Sequence, residues 1–157
     1  MNVIETSEIG RVSLFQGLPA DDLARLAAAS ERRSLTDGGV LFEQGQPARN
    51  LYAVVRGGLV LRTSGGGRSV IVDSLGPGDL VGWTALREGA TTLSTARAVG
   101  TTELIAIPVD DIVDLASGGS REARLLLRRI VGLAATHLQE SWQQLLQAGR
   151  EGVITGG

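Results

Sequence analysis

Few residues in this chain of 157 could carry covalent chemistry. His137 is the only histidine, cysteine and lysine are absent, and all 15 basic residues are arginines. Without a second histidine there is no imidazole relay. Without lysine there is no Gly-Lys-Ser/Thr phosphate loop, and one imidazole with neither cysteine nor a carboxylate cluster is not a metal site. The acid pairs Asp21-Asp22 and Asp110-Asp111 begin helical patterns, where they complement the helix dipole. That explains them better than glycoside chemistry. No catalytic residue, metal ligand or bound cofactor is therefore expected. What remains is recognition chemistry, in a stretch of small and hydroxyl residues containing Thr91, Thr92, Ser94 and Thr95. These either line a polar pocket or are ordinary β-branched and small strand residues.

The elements that must position them follow from pattern. Residues 19–30 open with Pro19 and two acids and set Leu23, Leu26 and Ala27 on one helical face. From 34 to 107, strand-like runs alternate with glycine breaks: 40–42, 51–55, 59–62, 68–75, 94–99 and 103–107. Ser64 to Gly67 reads as a hairpin turn, and Gly45, Gly57 and Gly78 as β-turn glycines. Val109 to Ala116 is a short helix. Ser120 then caps a long one running from Arg121 to about Gln147. Such a pattern predicts an α+β, mainly β chain: an antiparallel roll of about eight strands between helices. Residues 1–13 read as an N-terminal extension, 14–147 as one domain and 148–157 as a flexible tail.

Taken in this order, several segments resemble one family. Leu14-Phe15 with Leu18, Leu23 and Leu26 is similar to the entry helix of cyclic-nucleotide-binding domains. Gly39 to Phe42, Gly45, Leu51 to Val54 and Gly57 are similar to their first strands. Leu75 to Gly82 resembles the turn into their phosphate-binding cassette. The chain resembles the sensor domain of catabolite-activator-type bacterial regulators. The resemblance implies a jelly-roll-like β-roll with a short N-terminal and a long C-terminal helix. It also implies a ligand pocket at Gly82, Trp83, Thr84, Ala85 and Leu86, with Ser141 and Trp142 on the base side. Gly82 either brings backbone close to a phosphate at a helix start or only makes a turn.

The cassette departs from the family. The resemblance implies a glutamate after the glycine, for the ribose hydroxyl, and this sequence has Trp83. It implies an arginine further on, for the phosphate, and the count back from Arg97 falls on Thr92. Charge-assisted hydrogen bonds contribute about 1.5–3 kcal/mol each, so losing both argues against ordinary cyclic-AMP affinity. Arg97 is expected to point outward from its strand, and Arg87 to be a loop-surface charge.

On the long helix, Leu126, Ile130, Leu133 and His137 form one stripe. Leu127, Val131, Ala134, Leu138, Trp142 and Leu145 form another. The resemblance implies that this helix pairs with its copy in a homodimer. Arg121, Arg124, Arg128 and Arg129 read as a solvated face. A net charge of −2 gives no general attraction to nucleic acid. After Gln147 too few residues remain for a helix-turn-helix. No apolar run is long enough to span a membrane, and the absence of cysteine fits the cytoplasm. Two readings of function stand: a non-catalytic ligand-sensing module, or an adaptor that kept the fold and lost the pocket. The second could pair with a protein partner or a full-length DNA-binding relative.

Overall fold

The computed structural model describes residues 3–155. Its six strands are β1 (Glu31–Leu35), β2 (Val40–Phe42), β3 (Asn50–Gly65), β4 (Arg68–Leu75), β5 (Leu80–Val81) and β6 (Thr95–Pro108). Four helices flank them: α1 (Thr6–Gly10), α2 (Ala20–Ala29), α3 (Val109–Ala116) and α4 (Arg121–Thr155). Strand order is β1-β6-β3-β4, with β2 beside β6 and β5 beside β3, all antiparallel. The mainly antiparallel β-roll with a long C-terminal helix is the fold the sequence led us to expect.

Six strands stand where about eight were expected, because two glycine breaks do not break the chain. The runs 51–55 and 59–62 form one strand, β3, and 94–99 and 103–107 form one strand, β6. Gly57 sits at a bulge between them, not at a β-turn: the register slips on either side of Arg56. Its φ of +81° and the crowding of its Cβ position by Thr101 and Thr102 leave room only for glycine. The buried Thr102 hydroxyl accepts from the Gly58 amide at 3.2 Å and lies 3.0 and 3.1 Å from the Gly58 and Gly100 carbonyls. It satisfies backbone groups that the bulge takes out of the ladder.

Two apolar clusters form the core. Phe42, Val54, Leu59, Val81, Ala96 and Leu104 fill the roll. The second cluster joins the helices to its end, through Leu14, Phe15, Leu26, Leu51, Ile107, Ile112 and Leu126. Ile4 and Ile9 belong to it too, so residues 3–13 are part of the packed domain and not an extension. A capping box holds α1, with the Glu5 amide donating to Glu8 Oε2 at 2.9 Å. At the other end, Ser120 caps α4 as expected, its Oγ accepting from the Ala123 amide at 3.0 Å. That helix continues past Gln147 to Thr155, where a tail was expected. A glycine inside a helix costs about 1 kcal/mol, and helix propagation absorbs it once the helix is nucleated. The rest of the expected tail, 156–157, lies outside the described residues.

Glu8 and Arg32 tie α1 to β1 by an ion pair of 2.6 Å, with side chains 23% and 22% exposed. The Glu5 amide and then the Arg32 guanidinium hold the Glu8 carboxyl below the ordinary carboxylate range. A lowered folded-state value stabilises above the unfolded value and loses that stabilisation as pH falls through the folded one. We expect Glu8→Gln to cost about 1–2 kcal/mol at neutral pH, measured by urea unfolding. The gap from the unmodified chain should close progressively as pH falls below the carboxylate range.

Candidate functional site: the cavity between roll and long helix

Three pieces of chain meet at the mouth of the roll. The first is Gly82 and the 3-10 turn Trp83–Leu86 that follows it. Gly82 has φ +98°, and a Cβ there would lie 2.6 Å from the Asn50 carbonyl oxygen. This gives the glycine a steric reason of its own, apart from any ligand. The second piece is the β3–β4 hairpin. Leu61 pairs with Asp73 and Arg62 with Ile71, so Val72 is the extra residue of a bulge. Val72 and Asp73 therefore both line the cavity, which strict alternation would forbid. The third is α4, which lays His137, Glu140, Ser141 and Gln144 over the opening.

These pieces enclose a cavity of about 230 Å³ over an apolar floor that includes Phe42, Leu61, Leu75 and Val81. Trp83 packs beside His137, ring centroids 5.5 Å apart and planes tilted by 57°. The Trp83 indole N–H is buried without a hydrogen-bond partner. The charged and titratable lining consists of Asp73, Glu140 and His137, and no arginine lines the cavity.

The structure divides the expected pocket residues. Gly82, Trp83, Thr84, Ser94 and Ser141 line the cavity. Ala85 is buried in the helical core and Leu86 packs against it. Trp142 is 60% exposed and does not line the cavity. Nor do Thr91, Thr92 and Thr95, so the four hydroxyl residues do not form one pocket. Thr91 lies in a separate surface cleft with Arg87 and Glu88. The Thr95 hydroxyl accepts from the Gln44 amide at 3.0 Å, and its residue faces the opposite side of the sheet with Arg97. Thr92 is buried as a clamp: its hydroxyl donates to the Glu43 carbonyl and accepts from the Gln46 amide at 3.1 Å. Neither Arg87 nor Arg97 reaches the cavity.

The two stripes of α4 also have different fates. Leu126 is fully buried in its own chain's core, with Ile130 and Leu133 packed against the same cluster. His137 completes this inner stripe on Trp83, so these four dock the helix intramolecularly. Leu126, fully buried there, is not available to the dimer seam expected of it. Arg129 is not simply solvated: it donates to the carbonyls of Leu14 and Gln16 and anchors the helix. The other stripe is open, with Leu127, Val131, Leu138, Trp142 and Leu145 each exposed. Sequence reasoning missed Glu140 and Gln144, although both follow His137 at helical spacing. Asp73 was missed too, although it lies two residues before Leu75 on the same strand face; Val72 joins it there only through the bulge.

The roll, its glycine turn and the helix over its mouth define the type of fold, and comparison with known proteins fixes the family. The cyclic nucleotide-binding domain family matches residues 32–118, and the chain belongs to it. It is 32% identical, over 82% of its length, to the cyclic AMP receptor protein of Thermus thermophilus, and spans 58% of that protein. The crystal structure of the Thermus thermophilus catabolite activator protein superimposes with a TM-score of 0.70 at 31% identity, over 84% of this chain and 61% of that one. A cyclic nucleotide-binding-like protein from Brucella abortus aligns with a TM-score of 0.57 at 31% identity, over 81% of this chain and 97% of its own. Among the described residues no group of three or more metal-ligating side chains gathers. No described helix is long and apolar enough to cross a membrane.

Replacing Thr92 by valine should remove both hydroxyl bonds and leave the Gln46 amide and Glu43 carbonyl only their own 3.3 Å bond. We expect a loss of about 1–3 kcal/mol by chemical denaturation, and amide shifts in nuclear magnetic resonance spectra confined to residues 43–46 and 90–93. Shifts centred on Trp83 would place Thr92 in the cavity after all.

Proposed function

We propose that this chain is a non-catalytic regulatory module whose cavity has lost the charges a cyclic nucleotide requires, so that it is not an ordinary cyclic-AMP receptor. One observation carries the reading: the cavity is lined by Asp73 and Glu140 and by no arginine. A cyclic phosphate brings one negative charge into this space. It would meet two carboxylates there and no guanidinium to pair with. The free amides after Gly82 remain as phosphate donors. They are weak compensation, because the turn they open is only four residues long. The Trp83 ring occupies the place where the family resemblance calls for a carboxylate, and it cannot accept a hydrogen bond from a ribose hydroxyl.

A second reading has its own support. The Trp83–His137 contact already joins the roll to α4 without any ligand. A helix held in one position by protein contacts fits an assembly adaptor. A ligand moves an equilibrium only by binding its two states unequally, and here the contact that a ligand would have to make is already made. The open stripe of α4 fits the same picture, and we place a homodimer seam on Leu127, Val131, Leu138, Trp142 and Leu145. Leu138 and Trp142 are 61% and 60% exposed, an apolar surface that one chain leaves uncovered.

Calorimetric titration with cyclic AMP and cyclic GMP tests the first reading. We expect no binding in the micromolar range, and saturable micromolar binding would overturn it. For the seam, Leu127→Glu with Leu138→Glu should convert dimers to folded monomers in light scattering, since charges buried in a helix interface are costly. Ile130→Glu should instead unfold the chain, because Ile130 packs on its own core. A monomer at high micromolar concentration in the unmodified protein would refute the seam.

A further inference from the structure

The outer face of the same hairpin carries the charge that the inner cavity lacks. In the β3–β6 ladder Arg62 stands opposite Thr95 and Val60 opposite Arg97, so Arg62 and Arg97 are diagonal neighbours on one face. Ser64 pairs with Ser69, and Arg62 with Ile71, on that face. Together these residues line a cleft of about 490 Å³, closed on one side by Gly38. Arg97 Nη1 donates to the Gly38 carbonyl at 3.2 Å, which holds its guanidinium over the cleft.

The lining contains two arginines, three hydroxyls and no carboxylate. Like charges set diagonally across a sheet repel one another, and among the described residues no carboxylate pairs with either arginine. The ion pairs among the described residues use Arg32, Arg33 and Arg56, never Arg62 or Arg97. We propose that this cleft is a binding site for a small phosphate monoester with an apolar body, distinct from the cavity at Trp83. Two guanidinium forks match phosphate oxygens. With the hydroxyls of Ser64, Ser69 and Thr95 they offer more donors than the two oxygens of a carboxylate can take, whereas three terminal phosphate oxygens can accept them. Val60, Ile71 and Val99 form an apolar wall beside the donors, with Ile71 and Val99 more than half exposed. The volume lies within the roughly 300–1,000 Å³ of small-molecule sites.

Phenyl phosphate is the probe, titrated into the full chain and followed by amide and arginine side-chain resonances. Saturable binding is expected, with shifts centred on Val60, Arg62, Ile71 and Arg97. Benzoate and inorganic phosphate, lacking the third oxygen or the apolar body, should bind more weakly. Arg62→Gln and Arg97→Gln should each weaken phenyl phosphate about tenfold or more, and Arg56→Gln, outside the cleft, should not. Both variants alter exposed side chains, and unchanged circular dichroism is the control for their fold. Ser69→Ala gives a milder loss by the same reading. Three results would overturn the site: no saturation by about 10 mM ligand, unchanged affinity in the folded arginine variants, or shifts centred on the Trp83 indole.

Discussion

The long antiparallel ladder between β3 and β6 is the constraint on which the rest of the molecule depends. It runs from Asn50 opposite Pro108 to Arg62 opposite Thr95. Because side chains alternate across it, one register decides which residues fill the roll and which face outward. Leu59 and Leu61 turn inward, and Val60 and Arg62 turn outward, with their partners on β6. The bulges at Gly57 and at Val72 reset that alternation locally. The first lets β3 bend into a roll without breaking, and the second brings Val72 into the cavity beside Asp73. The inner cavity and the outer cleft are thus two faces of one hairpin, with opposite charge.

From that frame α4 takes its place. Leu126, Ile130, Leu133 and His137 dock it, and Arg129 fastens it to the carbonyls of Leu14 and Gln16. Family membership establishes the domain as a cyclic-nucleotide-binding fold. Fold alone does not supply the site: a site for a cyclic phosphate needs positive charge where the phosphate would sit. Here the cavity is lined by Asp73 and Glu140 and by no arginine, with Trp83 packed beside His137.

Much of this was legible in local signals. The hairpin turn at 64–67, the helices at 20–29 and 109–116 and the Ser120 cap all rest on residues within one turn of each other. Departures arose where distant chain decides. A bulge glycine and a turn glycine look alike in sequence, and only the pairing of β6 on both sides of Gly57 distinguishes them. The partners of Thr92, Glu43 and Gln46, are more than 40 positions away, and no spacing reveals that its hydroxyl serves them. Ile4 precedes, and Ile9 lies within, a helix of only five residues, too short to show a period. The stripes of α4 were plain. Which one met its own roll depended on the positions of Leu14, Phe15 and Trp83.

The central claim is that this member of the family keeps the fold of a cyclic-nucleotide receptor without the charge complement of one. Thermal unfolding at about 1 mM cyclic AMP tests it most directly. A receptor with micromolar affinity would gain about 4 kcal/mol at that concentration and melt several degrees higher. The account predicts a midpoint equal to that of the ligand-free chain. An upward shift of several degrees, absent with adenosine, would contradict it.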